Sequence, residues 1–130
     1  MPGDIWPLQT ESDVVRVRQA VRALAVELGF SLVDQTKVVT AASELARNTL
    51  VHGRGGQMLL ERITVPRRGL RMVFEDHGPG IPDLPLALSD GYTTGGGLGL
   101  GLSGSKRLMN DFQIDTRVGE GTRITTTKWK

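Results

Sequence analysis

A glycine-rich run that leads directly into a helical pattern constrains the fold of this chain more than any other feature. Residues 91–109 read GYTTGGGLGLGLSGSKRLM, with six glycines among the first eleven positions. Glycine this dense forms either a flexible connector or a backbone that can approach a ligand closely. At a helix N-terminus, unpaired N–H groups and the positive end of the helix dipole favour an anion. The run therefore predicts a phosphate site, with a flexible connector as the alternative.

Two well-known nucleotide motifs do not account for this run. Gly99, Gly101 and Gly104 match G-x-G-x-x-G, and Glu120 follows where a ribose-binding acid is sought. A dinucleotide fingerprint must directly follow a buried strand inside a βαβ unit. Here LSDGYTTGG precedes the glycines, and strand patterns follow the helix. The phosphate loop G-x-x-x-x-G-K-[ST] is excluded because Ser105 stands where that motif requires lysine.

Length and composition predict a single domain that spans residues 1–130. The 16 Lys and Arg residues nearly balance the 14 Asp and Glu residues and are scattered along the chain, which argues against nucleic acid as a partner. The absence of cysteine excludes disulfides and thiolate zinc sites and fits a reducing compartment. No signal-peptide pattern or long apolar run is present. We therefore expect a cytoplasmic protein that binds neither nucleic acid nor membrane.

Apolar residues recur at helical spacing in two stretches of the first half of the chain. The first stretch begins near Ser12, a candidate N-cap, and ends at Gly29, a candidate C-terminal stop. The second follows FSLVD, carries apolar residues from Val38 to Leu50, and fades at HGRGG. A third helix is predicted from about Leu102 to Asp111, where the glycine-rich run ends.

The other regular segments are rich in β-forming residues and form two hairpins after a short N-terminal strand. PRR separates the strands of the first hairpin and GEG those of the second. The predicted hairpin strands are residues 57–65, 69–76, 112–118 and 122–129. This order predicts an α+β fold with helices on one face of a mostly antiparallel sheet. The intervening stretch 77–101 is longer than most loops, which favours a lid or binding loop.

The second helix carries a carboxylate and an amide on one face. Glu44 and Asn48 are four residues apart, which places their Cβ atoms roughly 6 Å from each other. A carboxylate can accept a proton or orient a hydroxyl. An amide oxygen suits a hydrated Mg²⁺ that also holds phosphates. The alternative is an exposed polar face without a chemical role.

Asp76 lies where an apolar strand pattern ends and a turn begins. Gly78 and Gly80 follow it, and glycine at these positions would leave room for a flat ring beside the backbone. The carboxylate could accept hydrogen bonds from a purine amino group. The alternative is an Asp that only starts a turn, which is a common use of this residue. His52 and His77 have no second ligand at metal-binding spacing, so neither predicts a zinc site.

The order of these motifs resembles the GHKL superfamily of ATP-binding domains, which includes histidine kinases, gyrase B and MutL. ELARN at 44–48 is similar to the N box of that superfamily and DHGPG at 76–80 to its first glycine box. GLGLGLS at 97–103 and GEGT at 119–122 are similar to its second and third glycine boxes. Within the superfamily, SELARN, EDHGPGIPD, GGLGLGLSGSKRLMNDF and the closing KW resemble the RsbT-type switch kinases. The resemblance implies the Bergerat, or histidine-kinase-like ATPase, fold: a two-layer α+β sandwich with a mixed sheet.

The resemblance also implies a role for each box. Glu44 would orient or deprotonate the attacking hydroxyl, Asn48 would hold Mg²⁺, and Asp76 would accept the adenine amino group. Thr122 would support Asp76 or the base. The glycine-box positions implied to surround the base and the phosphates of ATP are Gly78, Gly80, Gly97, Leu98, Gly99, Leu100, Gly101 and Leu102.

For function, the resemblance implies an ATP- and Mg²⁺-dependent serine/threonine kinase. Its substrate would be a STAS-domain antagonist or scaffold protein, and partner switching would activate a PP2C-type phosphatase in a stress-response cascade. An anti-sigma factor that sequesters a sigma factor is the first alternative. The segment between Ile81 and Gly95 is short and lacks the arginine that anti-sigma kinases often carry near the second glycine box, which favours the RsbT-type interpretation. A nucleotide-gated adaptor without transfer activity is the second alternative, and the intact Glu44 argues against it.

Overall fold

The structure is a computed structural model that describes residues 3–88 and 101–130. Two long helices lie between a first strand and a hairpin, and a second hairpin closes the chain. The elements are β1 (Asp4–Leu8), α1 (Glu11–Glu27), α2 (Leu32–Val51), β2 (Gly56–Ile63), β3 (Gly69–Asp76), α3 (Leu84–Ala87), α4 (Gly101–Leu108), β4 (Asp111–Arg117) and β5 (Gly121–Trp129).

The five strands form one sheet in the order β1-β2-β3-β5-β4, and each pairing is antiparallel. Alternation along β3 places Leu70, Met72 and Phe74 on the buried face, where α2 packs. Complete burial of a side chain such as Phe74 contributes about 1.5–3 kcal/mol. The predicted α+β class and the predicted order of the long elements are confirmed, and the sheet of the described residues is wholly antiparallel rather than mixed.

The first helix begins two residues earlier than its apolar pattern indicates. We predicted Ser12 as the N-cap, and this prediction was wrong. The Thr10 hydroxyl accepts a hydrogen bond from the Asp13 N–H at 3.2 Å. The Asp13 carboxylate in turn accepts the N–H groups of Gln9 at 2.9 Å and Thr10 at 3.0 Å. Thr10 therefore starts the helix because its spacing to Asp13 satisfies these otherwise unpaired donors.

Asp13 gives this cap a dependence on pH. The Gln9 N–H is the main reason why the pKa of Asp13 lies below its ordinary value of 3.8, with further contributions from Thr10 and Arg16. A lowered pKa stabilises the fold above the unfolded-state pKa, and the stabilisation is lost as the pH falls through the folded-state pKa. We expect Asp13→Asn to lower the unfolding temperature near pH 7 and to have little effect near pH 2. Thermal unfolding of wild type and variant between about pH 2 and about pH 7 measures this effect. An equal loss of unfolding temperature at both pH values would show that the Asp13 charge does not stabilise the cap.

The turn between the two long helices confirms one predicted boundary and moves another. Gly29 has a φ of +84° and follows Leu28, the C-cap residue of α1, as predicted for a helix stop. The second helix starts at Leu32, with Ser31 as its N-cap, so most of FSLVD is helical. The apolar pattern did not reveal this first turn because Leu32 and Val33 are 72% and 64% exposed.

The long stretch after β3 contains a short helix that the sequence pattern did not predict. Two hydrogen bonds of 3.0 Å define α3. The Ala87 N–H donates to the carbonyl of Asp83, and the Leu88 N–H donates to the carbonyl of Leu84. The following helix, α4, ends at Leu108 rather than near Asp111, because Asp111 already pairs with Thr127 in the sheet. In the described ranges, no helix is both long enough and apolar enough to cross a bilayer.

Candidate functional site

Three side chains form a row across one end of the sheet. Asp76 at the end of β3 pairs with Thr122 on β5, and Thr122 pairs with Thr116 on β4. Asp76 lies two residues beyond the buried Phe74, so strand alternation places the row on the helix-covered face. Polar side chains at the end of an otherwise apolar face indicate a site rather than core.

A cavity of about 350 Å³ lies between this row and helix α2. Most of its wall is apolar and includes Phe74, Ile81 and Ile124. The predicted site residues that line it are Asn48, Asp76, Gly80, Leu102 and Thr122. An apolar cavity with a few converging polar groups is typical of a small-molecule site.

The carboxylate of Asp76 is held in place from two sides. Its Oδ1 accepts a hydrogen bond from the Gly78 N–H at 2.9 Å. On the other side lies Gly53, where an added Cβ would overlap the Asp76 carboxyl group. Gly53 thus leaves the space that the carboxylate occupies, a role that we did not predict from the sequence. The sequence signal for this role was the HG pair, His52 and Gly53, that directly follows the second helix.

The first glycine box packs too closely for side chains. An added Cβ at Gly78 would lie 2.7 Å from the Gly53 carbonyl oxygen. Gly80 has a φ of +77°, and a Cβ there would overlap the Arg117 carbonyl. The Gly119 N–H donates to the Pro79 carbonyl at 2.8 Å, which joins the first and third glycine boxes. Gly80 lines the cavity, whereas Gly78 lines a second, more open groove beside it.

Helix α2 positions Glu44 and Asn48 as the spacing predicted, one turn apart. Glu44 is only 4% exposed, so an exposed polar face does not describe it. Asn48 is partly buried and lines the cavity. The apolar side of the helix packs on the core through Leu45. The Thr49 hydroxyl donates a 2.9 Å hydrogen bond to the Leu45 carbonyl.

The N-terminus of helix α4 borders the same cavity. Leu102, in the first turn of α4, lines it, and α4 packs against α2. Gly101 is the first residue of this helix. The other predicted members of the second glycine box, Gly97, Leu98, Gly99 and Leu100, lie outside the described residues. Within the described part of the chain, no three His, Cys, Asp or Glu side chains form a metal-binding group.

The match to a known family agrees with this geometry. Residues 7–128 match the family described as the histidine kinase-like ATPase domain. The chain belongs to this family. The chain is 47% identical to the serine/threonine-protein kinase RsbT of Bacillus subtilis over 123 residues, which are 94% of this chain and 92% of that relative. It is 30% identical to the anti-sigma F factor of Clostridium kluyveri over 112 residues, 82% of this chain and 79% of that relative.

Solved structures share the fold. The RsbU and RsbW domains of Rv1364c from Mycobacterium tuberculosis superpose with a TM-score of 0.67 at 20% identity. The match covers 98% of this chain and 32% of that one, so this chain spans about a third of the solved chain. The histidine kinase domain of the blue-light activated kinase from Erythrobacter litoralis EL346 superposes with a TM-score of 0.53 at 18% identity, over 94% of this chain and 60% of that chain.

Proposed function

We propose that this chain is a protein kinase that transfers the γ-phosphoryl group of ATP to a serine or threonine of a separate partner protein. The observation that carries the proposal is the convergence of Asn48, Asp76, Thr122 and the α4 N-terminus on one cavity, with Glu44 one helical turn away. The similarity to a serine/threonine-protein kinase over nearly the whole chain supports the same activity.

The cavity suits an adenine ring at its sheet end. The apolar side chains of Phe74, Ile81 and Ile124 would contact the faces of the ring. The Asp76 carboxylate accepts hydrogen bonds and would pair with the exocyclic amino group. The Thr122 hydroxyl, next to Asp76 in the sheet register, would contact the same edge of the base.

The phosphates would extend from the base toward helix α4. Leu102 in the first turn of α4 lies at the cavity wall, and unpaired N–H groups at a helix N-terminus bind phosphate. The neutral amide oxygen of Asn48 is a suitable ligand for a hydrated Mg²⁺ that is also held by the phosphates. When bound, this ion would neutralise charge that develops on the transferred group.

Glu44 is the group on α2 that would act on the acceptor hydroxyl. A carboxylate can accept the hydroxyl proton as the oxygen attacks phosphorus, or orient the hydroxyl for attack. Its burial excludes water, which strengthens its electrostatic interaction with the acceptor. The acceptor oxygen forms the new bond to phosphorus, the bond to the bridging oxygen breaks, and ADP leaves.

The proposed partners are a STAS-domain protein as phosphoryl acceptor and a PP2C-type phosphatase that the released kinase activates, all in the cytoplasm. The test incubates the protein with Mg-ATP and a STAS-domain protein from the same genome, and identifies the modified residue by mass spectrometry. We expect one phosphoserine or phosphothreonine on the STAS protein. ATP binding without transfer to that protein would remove the proposed substrate.

A second candidate function is sequestration of a sigma factor. It is favoured by the 30% identity to an anti-sigma F factor over 82% of this chain. Co-purification from cells distinguishes the two functions. A sigma subunit recovered with the chain would favour the second function, and a PP2C-type phosphatase would favour the first.

A further inference from the structure

Thr116 does not line the cavity, yet its hydroxyl connects three parts of the site. Its Oγ1 accepts a hydrogen bond from the Ile81 N–H at 2.9 Å. It lies 2.9 Å from the Thr122 Oγ1 and 3.3 Å from the Gly121 carbonyl oxygen. Thr116 and Thr122 are direct partners in the β4–β5 register. Thr122 lines the cavity, so Thr116 can act on a ligand through it.

The single proton of the Thr116 hydroxyl decides what Thr122 presents to the cavity. If Thr116 donates to Thr122, then Thr122 keeps its own proton for a ligand. If Thr116 donates to the Gly121 carbonyl, the contact between the two hydroxyls is a hydrogen bond only with Thr122 as the donor, and Thr122 then presents lone pairs to the cavity. At 2.9 Å either hydroxyl can donate to the other, and Thr116 can also donate to Gly121 at 3.3 Å. A bound ring nitrogen that accepts the Thr122 proton selects the first arrangement, because Thr122 can then only accept from Thr116.

We propose that Thr116 is a positioning residue that makes the site prefer adenine over guanine by holding Thr122 as a hydrogen-bond donor. The inference rests on the proposed binding of ATP in this cavity. The edge of adenine carries an amino donor beside a ring nitrogen that accepts. Asp76 as acceptor and Thr122 as donor are complementary to this pair. Guanine carries a carbonyl acceptor beside a ring N–H donor, and both would oppose the same two groups.

The contact with Ile81 gives Thr116 a second, separable effect. Ile81 lies on the cavity wall at the start of the segment that leads to α3, and its N–H has Thr116 as its partner. Loss of that contact would loosen the wall for either purine. It would therefore weaken ATP and GTP binding alike and would leave their ratio unchanged. Only the effect through Thr122 changes the ratio.

The experiment compares ATP and GTP affinities by calorimetry in the wild type, Thr116→Val and Thr116→Ser. Valine matches the shape of threonine and favours strands, so we expect both variants to fold, as thermal unfolding checks. Thr116→Val should weaken ATP binding about three- to tenfold and GTP binding less, which lowers the ATP preference. Thr116→Ser keeps the hydroxyl and should restore the wild-type ratio. Thr116→Ala removes the same hydroxyl and serves if the valine variant is unstable.

Two further variants separate this role from general damage to the site. Thr125→Val removes a hydroxyl on the opposite face of β5 and should leave both affinities unchanged. In a Thr122→Val background, Thr116→Val should no longer alter the ATP-to-GTP ratio. An unchanged ratio of ATP to GTP affinity in Thr116→Val would overturn the inference about Thr116 and leave the proposed function standing. A change in that ratio that persists in the Thr122→Val background would do the same. Failure of the wild type to bind ATP would overturn the proposed function as well.

Discussion

Asp76→Asn is expected to lower the affinity for ATP about tenfold to about 100-fold. The Gly78 N–H already occupies Oδ1 of Asp76 at 2.9 Å, so an asparagine would keep its carbonyl oxygen there. Its NH₂ group would then replace the second carboxylate oxygen and face the adenine amino group donor to donor. A hydrogen bond to a charged group contributes about 1.5–3 kcal/mol, and each 1.4 kcal/mol is about tenfold in affinity.

The same substitution should shift the base preference away from adenine. The asparagine NH₂ group can donate to the carbonyl oxygen of a hypoxanthine or guanine ring, so ITP should lose less affinity than ATP. Calorimetric titration with both nucleotides measures this change. Asp115→Asn is the matched control, because Asp115 is exposed on β4 and is directed to the other face of the sheet. ATP affinity within about twofold of wild type in Asp76→Asn would place the base elsewhere.

Glu44→Gln is expected to slow phosphoryl transfer about 10²- to 10⁴-fold, the usual contribution of a positioned acid or base. Glutamine has nearly the same shape and cannot accept the hydroxyl proton as a carboxylate does. Glu44 does not line the cavity wall, so ATP affinity should remain within about threefold of wild type. Single-turnover kinetics with the STAS-domain partner measures the transfer rate, and calorimetry measures the affinity for ATP.

The control for Glu44→Gln is Glu61→Gln on β2. Leu60 faces the core, so strand alternation directs Glu61 to the opposite face of the sheet, away from the cavity. It should transfer phosphate at the wild-type rate. A Glu44→Gln variant that folds normally and transfers phosphate as fast as this control would show that Glu44 has no role in the chemistry. Transfer would then depend on another group of the site.

Features that depend on local periodicity and glycine placement could be predicted from the sequence. The strand 69–76 was predicted with its observed bounds because Leu70, Met72 and Phe74 alternate with polar or less buried positions. Asp76 could be placed in the site because it directly follows that pattern. Gly29 could be predicted as a stop because a positive φ favours glycine.

Features that depend on contacts between distant segments could not be predicted. Nothing local marks Thr116, because its importance comes from the register with Thr122 and the approach of Ile81. Gly53 matters because the turn after α2 lies against the Asp76 carboxylate, a contact set by the packing of α2 on β3. Thr10 was missed for a different reason, since the apolar pattern marks the buried face rather than the cap.

The measurement that tests the central claim most directly is a crystal structure with Mg²⁺ and a non-hydrolysable ATP analogue. We expect the adenine amino group within hydrogen-bond distance of the Asp76 carboxylate. We also expect the phosphates at the first turn of α4 and the metal ion beside Asn48. An analogue bound instead in the open groove lined by Arg54 and His77, on the other side of Gly53, would contradict the account.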